Sequence, residues 1–278
     1  MEEAHLDANR AMWDAWARAH HAQPSRFYDV ARFKAGENTL MPVELDELGD
    51  VSGKSLLHLQ CHFGLDTLSW ARRGATVTGV DFSPEAIRLA HDLAAELKLP
   101  AEFVCSNLYD LPQVLGERQF DVVFTSYGVL FWLPDLSAWA ELIARYLKPG
   151  GTFYIVEFHP FKVVVGFDRE TLAPRLVDRY FRTEAWVEST AYSYAADLDT
   201  EYISYEWLHT LGETVTALCQ AGLRIDFLHE FPYATYGIWG VEEQGPDGLW
   251  RLRGQDGVLP QMFSIRATCP GGATQPTA

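Results

Sequence analysis

Residues 56–84 read LLHLQCHFGLDTLSWARRGATVTGVDFSP: an apolar run, a turn carrying Gly64, a helix-spaced stretch, and a second run that ends in Asp81. Parallel strands joined through helices leave their carboxyl ends open to a ligand. There a tight turn brings backbone N–H groups close and an acidic side chain takes ribose hydroxyls. The turn departs from the glycine-rich form of that loop, because Gln60, His62 and Gly64 stand where G-x-G-x-G would be. The ligand has to account for both the acid at Asp81 and the missing glycines.

Upstream, Leu6, Met12, Trp13, Trp16 and Ala19 lie near helical spacing over residues 5–22, and Pro24 ends the pattern. A short segment, 25–40, leads to a second helix around 41–49. The first buried strand is 55–60, its helix is 65–73 with Gly74 just past the end, and the second strand is 76–80. Ser83 caps the next helix, Pro84 is its first residue, and Ala86, Ile87, Ala90, Leu93, Ala94 and Leu97 form one apolar face up to Pro100. A third strand is expected at 101–107 and a fourth from Phe120 through FDVVFTSYGVLF. A helix follows with Leu136, Trp139, Leu142, Ile143, Tyr146 and Leu147 on one side, and KPGG at 148–151 reads as a sharp stop before a fifth strand, TFYIVEF. Strict alternation of strand and helix predicts a parallel sheet with helices on both faces.

The alternation breaks after His159. Residues 160–207 have no helical period but many aromatics, which predicts a lid over the site containing an antiparallel hairpin. Thr210 and Glu213 form a capping box for a helix ending at Gly222. Two late strands, LRIDFLHEF and QMFSIRAT, flank a glycine-rich stretch from Gly237 to Gly257. The expected organisation is a helical cap at 1–50, a ligand-binding core at 51–160, a lid at 161–207, the remainder of the core at 208–268 and a disordered tail at 269–278.

A formal charge of −16 repels phosphate backbones and anionic membranes, so nucleic acid is not the expected partner. Four cysteines, Cys61, Cys105, Cys219 and Cys269, are too dispersed for a CxxC metal pair and too few for a disulfide scaffold, which is the pattern of reduced thiols in a cytoplasmic protein. The first twenty or so residues lack a long apolar region, and the reading is of a protein neither secreted nor membrane-spanning. His58 and His62 have the spacing of metal ligands only on a helix, and their segment reads as strand and turn, so no metal site is expected. Aromatic residues at 13% suit either a deep pocket for a small organic ligand or simply a dense core.

Four features in order, LLHLQCHFGLDT, VTGVDFSPEAI, FDVVFTSYGVLFWLPD and LKPGGTFYIVE, resemble the class I S-adenosylmethionine-dependent methyltransferases of small-molecule type. The resemblance covers residues 51–160 well and 208–268 more loosely. It implies an α/β, Rossmann-like seven-stranded sheet, mostly parallel with the last strand antiparallel, helices on both faces, an N-terminal helical cap and a lid inserted after strand five. It implies S-adenosyl-L-methionine as cofactor and a small-molecule acceptor. Residue by residue, Asp81 matches the acid that accepts both ribose hydroxyls, and Phe82 the residue against the adenine face. Asn107 and the Leu108 N–H stand at the adenine edge, and Thr125, Ser126 and Tyr127 where the methionine portion meets the acceptor pocket. The departure at Gln60 and His62 tells against a pyrophosphate, whose binding needs close backbone, more than against an amino acid. Gln60 and Asp66 are expected at the ammonium and His62 at the carboxylate. Tyr28 and Phe33 are expected to close over the cofactor, with Trp132 walling the acceptor.

Methyl transfer from a sulfonium needs alignment and dryness more than side-chain chemistry. For an acceptor that loses a proton, the candidate bases are His159, Tyr127 and His209. The competing readings are an NAD-dependent oxidoreductase on the same sheet and a non-catalytic S-adenosylmethionine-binding regulator. The acceptor, the atom methylated and the choice between monomer and homodimer stay open.

Overall fold

The computed structural model describes residues 3–25, 27–237 and 239–271. In chain order the elements are α1 (Glu3–Ala22), α2 (Val30–Lys34), α3 (Pro42–Leu48), β1 (Ser55–Leu59), α4 (Leu65–Arg72), β2 (Thr76–Asp81), α5 (Pro84–Leu97), β3 (Ala101–Cys105), α6 (Leu111–Leu115), β4 (Phe120–Ser126), α7 (Leu136–Tyr146) and β5 (Leu147–Phe158). They continue with α8 (Phe161–Val164), β6 (Val165–Phe167), β7 (Pro174–Leu176), β8 (Trp186–Tyr192), β9 (Asp197–Glu206), α9 (Leu211–Gln220), β10 (Arg224–Phe231), β11 (Glu242–Gln244), β12 (Trp250–Leu252) and β13 (Met262–Thr268).

Seven strands form one sheet in the order β10-β13-β5-β4-β1-β2-β3. Pairing is parallel from β3 to β5 and antiparallel at β13, where Ile265 opposes Ile155. Alternation along the strands sends neighbours to opposite faces. Leu57, Val123, Phe153 and Ile155 meet Trp139, Ile143 and Leu218 from α7 and α9, whereas Leu56, Val122, Phe124 and Tyr154 meet Trp70 and Val43 from α4 and α3. Both faces are covered, as a parallel sheet requires. Strand order reverses between β1 and β4, and in such sheets the crevice at that reversal receives the ligand.

Local chemistry explains most boundaries. Ser83 Oγ accepts the Ala86 N–H at the start of α5, and the Thr210–Glu213 box closes reciprocally at α9. The fourth strand stops at Ser126, shorter than its apolar run, because Tyr127 and Gly128 turn into positive φ and Leu130–Trp132 winds into a single helical turn. KPGG is not a stop. Leu147 pairs with Phe120 and Thr152 with Val122, so residues 148–151 bulge outward within β5, and the Gly150 N–H is satisfied by the Cys269 carbonyl.

Residues 161–207 contain two hairpins, β6–β7 and β8–β9. The second is bolted to α1: the Asn9 amide donates to the Tyr205 carbonyl and accepts the Tyr205 N–H, both at 2.8 Å, and His5 stacks on the Tyr205 ring. From residue 272 onward, the expected disordered tail lies outside the described residues. Among the described residues no helix is long and apolar enough to cross a membrane, and no cluster of potential metal ligands occurs.

Candidate active site

A cavity of about 480 Å³ opens across the carboxyl ends of β1, β2 and β4, roofed by α1 and the turn of the β8–β9 hairpin. Its floor is the loop after β1. Gln60 at φ 56° and His62 at φ 51° hold the left-handed backbone that L side chains rarely adopt. Gly64 follows at φ 81°, and a Cβ there would lie 2.7 Å from the Phe103 ring, so both conformation and space demand glycine.

The strained loop is held by Asp81. One carboxylate oxygen accepts the His62 N–H at 2.8 Å and the other accepts the Ser83 N–H at 2.9 Å. Burial pushes the carboxyl up to about 6, against the pull of these donors. The carboxylate lines the cavity, and Phe82, Asn107 and Leu108 line the wall beside it. Asn107 spends its side-chain oxygen on the Tyr109 N–H, fixing the turn that presents Leu108.

Gln60 donates its amide N–H to the Val129 carbonyl at 2.9 Å, which leaves Oε1 buried without a partner. Asp66, at the start of α4, accepts from Thr39 at 2.6 Å and from Ser126 at 3.5 Å, and burial raises its pKa. These are acceptors gathered on one side of the floor. His62 is placed differently from a free anion ligand. Its Nε2 shares a hydrogen bond with His20 Nδ1 at 3.1 Å, and His20 Nε2 shares another with Ser193 Oγ at 2.7 Å. Burial pushes His20 down to about 3 and His62 well below the usual histidine range, so both rings are neutral and together they strut the floor to the hairpin turn. Tyr28 joins the same strut through a 2.6 Å hydroxyl contact with Tyr194. Among the atoms of the His62 ring, Nδ1 has no partner.

Beyond Ser126 the wall is fixed by Glu157 at the end of β5. Its buried carboxylate accepts the backbone N–H groups of Gly128, Val129 (2.7 Å), Leu130 (3.2 Å) and Phe158 (2.6 Å). Tyr127, at φ 39°, donates its hydroxyl to Glu44 at 2.8 Å. Glu44 is fully buried, and burial raises its carboxyl to about 8.

The structure gathers Gln60, His62, Gly64, Asp66, Asp81, Phe82, Asn107, Leu108, Ser126, Tyr127, Tyr28 and Trp132 around one cavity. It holds Phe33, His159 and His209 elsewhere. Phe33 is buried against Arg72, whose guanidinium lies 3.9 Å from its ring centroid. His159 accepts the Phe161 N–H and faces Glu230 at 3.1 Å, behind the cavity wall. His209 bonds the Leu133 carbonyl at 2.6 Å just before α9. Sequence reasoning missed Glu44, which is concealed as the third residue of a capped helix. It also missed Glu157, whose signal was a lone acid inside the apolar run TFYIVEF, and Lys162, which lines the far end of the cavity.

Residues 57–155 match the family model of the methyltransferase domain. The chain is similar to an uncharacterised methyltransferase of Synechocystis, 36% identical over 126 residues that make up 45% of this chain and 56% of that one. It is also similar to a ubiquinone biosynthesis O-methyltransferase of Xanthomonas oryzae, 32% identical over 137 residues, 48% of this chain and 56% of that one. The matched stretch thus spans about half the length of these curated relatives. Among solved structures, an S-adenosylmethionine-dependent methyltransferase from Mesorhizobium loti superposes with a TM-score of 0.58 at 21% identity, covering 82% of this chain and 96% of that one, a likeness of fold.

Proposed function

We propose that this chain, whose residues 57–155 match the methyltransferase-domain model and whose fold is shared with S-adenosylmethionine-dependent methyltransferases, binds S-adenosylmethionine in the cavity and methylates a small organic acceptor. The observation that carries this reading is the donor and acceptor set of the cavity floor. Asp81 lines the cavity with a carboxylate whose oxygens each accept a backbone N–H, and Gln60 Oε1, buried without a partner, and Asp66 add two further acceptors. That set fits a ligand with a ribose diol and an ammonium. It fits a pyrophosphate poorly, because Gln60 and His62 stand where glycines let the backbone approach the phosphates in dinucleotide sites. The oxidoreductase reading therefore has no support from the loop.

When bound, S-adenosylmethionine supplies a methyl group already activated on a sulfonium. The work of the chain is to hold, orient and dry. Asp81 would hold the ribose hydroxyls, Phe82 and the Asn107–Leu108 turn the adenine, and Gln60 with Asp66 the ammonium. Tyr28, Trp13, Trp16 and Tyr194 exclude water above the floor. For an acceptor that loses a proton, Tyr127 is the group in position. Its phenol already donates to Glu44, so as the phenol oxygen takes the acceptor's proton its own proton passes to the Glu44 carboxylate, the basic form of a group held at about 8. This pair favours catalysis over a purely regulatory binding role. The charge of −16 supports a small-molecule acceptor over nucleic acid, and four unpaired cysteines support a cytoplasmic setting.

Calorimetric titration with S-adenosylhomocysteine tests the reading. Saturable binding at one site per chain is expected, and no heat at millimolar ligand would end it.

A further inference from the structure

Among the described residues the cavity is lined by three acids, Asp66, Asp81 and Glu206, and by a single lysine or arginine, Lys162 on α8. Lys162 follows β5, and in the order β5-β4-β1-β2 that lies three strand spacings from Asp81, roughly 14 Å. It therefore stands at the end of the cavity opposite the ribose position, beyond the Tyr127–Gly128 turn. Its ammonium lies 4.5 Å from the centroid of Phe158 and 5.7 Å from that of Phe131. Among the described residues it makes no hydrogen bond or ion pair through Nζ. The two carboxylates that feel its charge are Glu157 and Glu206. Glu157 is committed to four backbone N–H groups, and Glu206 accepts from Ser204 at 3.3 Å.

A half-buried ammonium without a bonded partner is costly to keep in place. Burial accordingly lowers the Lys162 pKa. Aromatic faces offset part of the cost, and a ligand that brings its own negative charge removes the rest. The rings beside Nζ are those of Phe131 and Phe158; Trp132 and Trp207 also line the cavity, and the Trp207 backbone N–H is bonded to the Phe131 carbonyl at 2.8 Å. We propose that Lys162 receives a carboxylate of the methyl acceptor, and that the acceptor is a planar aromatic acid lying between these rings. Lys162 is then the residue that selects the acceptor's charge, while the floor selects the cofactor. The assignment deepens the methyl-transfer reading and rests on it for the identity of this end as the acceptor end.

The test uses the full chain saturated with S-adenosylhomocysteine and follows quenching of its tryptophan fluorescence. Anthranilate, salicylate and caffeate are titrated against their carboxamides. At least one acid is expected to bind saturably, about tenfold or more tighter than its amide. Lys162→Met should abolish that preference and leave S-adenosylhomocysteine affinity unchanged, and Lys162→Arg should retain the preference. Equal affinity for acid and amide, no acid binding at millimolar concentration, or an intact preference in Lys162→Met would each overturn the proposal. So would a Lys162→Met variant whose only defect is in S-adenosylhomocysteine affinity, which would give the lysine to the cofactor's carboxylate. A wild-type protein that does not bind S-adenosylhomocysteine would fail the methyl-transfer reading instead. The acid preference and its loss in Lys162→Met, read on the free protein, would still decide the anion site.

Discussion

Replacing Asp81 by Asn separates the two jobs assigned to this carboxylate, holding the floor loop and holding a ribose. The amide keeps one acceptor for either the His62 or the Ser83 N–H, but turns its NH2 toward the other. A buried N–H left facing a donor costs about 1–3 kcal/mol. Against this stands a gain. Burial lifts the carboxyl from 3.8 to about 6, which corresponds to about 3 kcal/mol of unfavourable ionisation in the folded state at neutral pH. Because the folded value is raised, the stability this group contributes is complete below the unfolded value and is lost as pH rises through about 6. The variant does not titrate there, so urea denaturation should find it close to wild type at neutral pH and weaker than wild type at pH values below about 5. Ligand affinity behaves differently, since charge-assisted bonds to two hydroxyls become at best one neutral bond. The loss is about 2–4 kcal/mol, roughly 30-fold to 1000-fold in S-adenosylhomocysteine affinity by calorimetry. A folded Asp81→Asn protein that binds within about twofold of wild type would refute the reasoning and leave Asp81 as a loop strut.

Tyr127→Phe should lower kcat by about 10-fold to 100-fold with cofactor affinity unchanged, and should flatten a wild-type rate that rises with pH toward about 8 as Glu44 ionises. An unchanged pH profile would remove the pair from proton transfer. Glu44→Gln should gain stability relative to wild type as pH rises from about 4.5 to about 8, because the raised carboxyl of the wild type loses its contribution over that window. Urea denaturation at the two ends of the range reads the difference, up to several kcal/mol.

The sheet was legible because its signals are local: apolar runs of strand length, Ser83–Pro84 and Thr210–Glu213 at helix starts, and Gly74 and Gly222 at helix ends. The aromatic stretch after His159 was legible as an insertion, but its two hairpins and their registers were not, since cross-strand partners such as Thr190 and Tyr202 carry no signal in sequence spacing. KPGG reads as a stop in any linear pattern, and only pairing with β4 reveals it as a bulge. At the site, residues lying on the loops after β1, β2, β3 and β4 could be named because topology alone brings those loops together. The His20–Ser193 strut exists only because the insertion folds over α1, and Glu44 reaches the site only through packing of α3 against the turn after β4, while Lys162 sits in a segment whose pattern gives no sign of where it folds. Phe33 has the composition of a pocket aromatic, yet its helix turns it onto Arg72.

The most direct test is a crystal structure of the protein with S-adenosylhomocysteine. The account predicts both ribose hydroxyls on the Asp81 carboxylate, the purine against Phe82 and Asn107, and the ammonium between Gln60 Oε1 and Asp66. A ligand bound elsewhere, or a ribose turned away from Asp81, would contradict it.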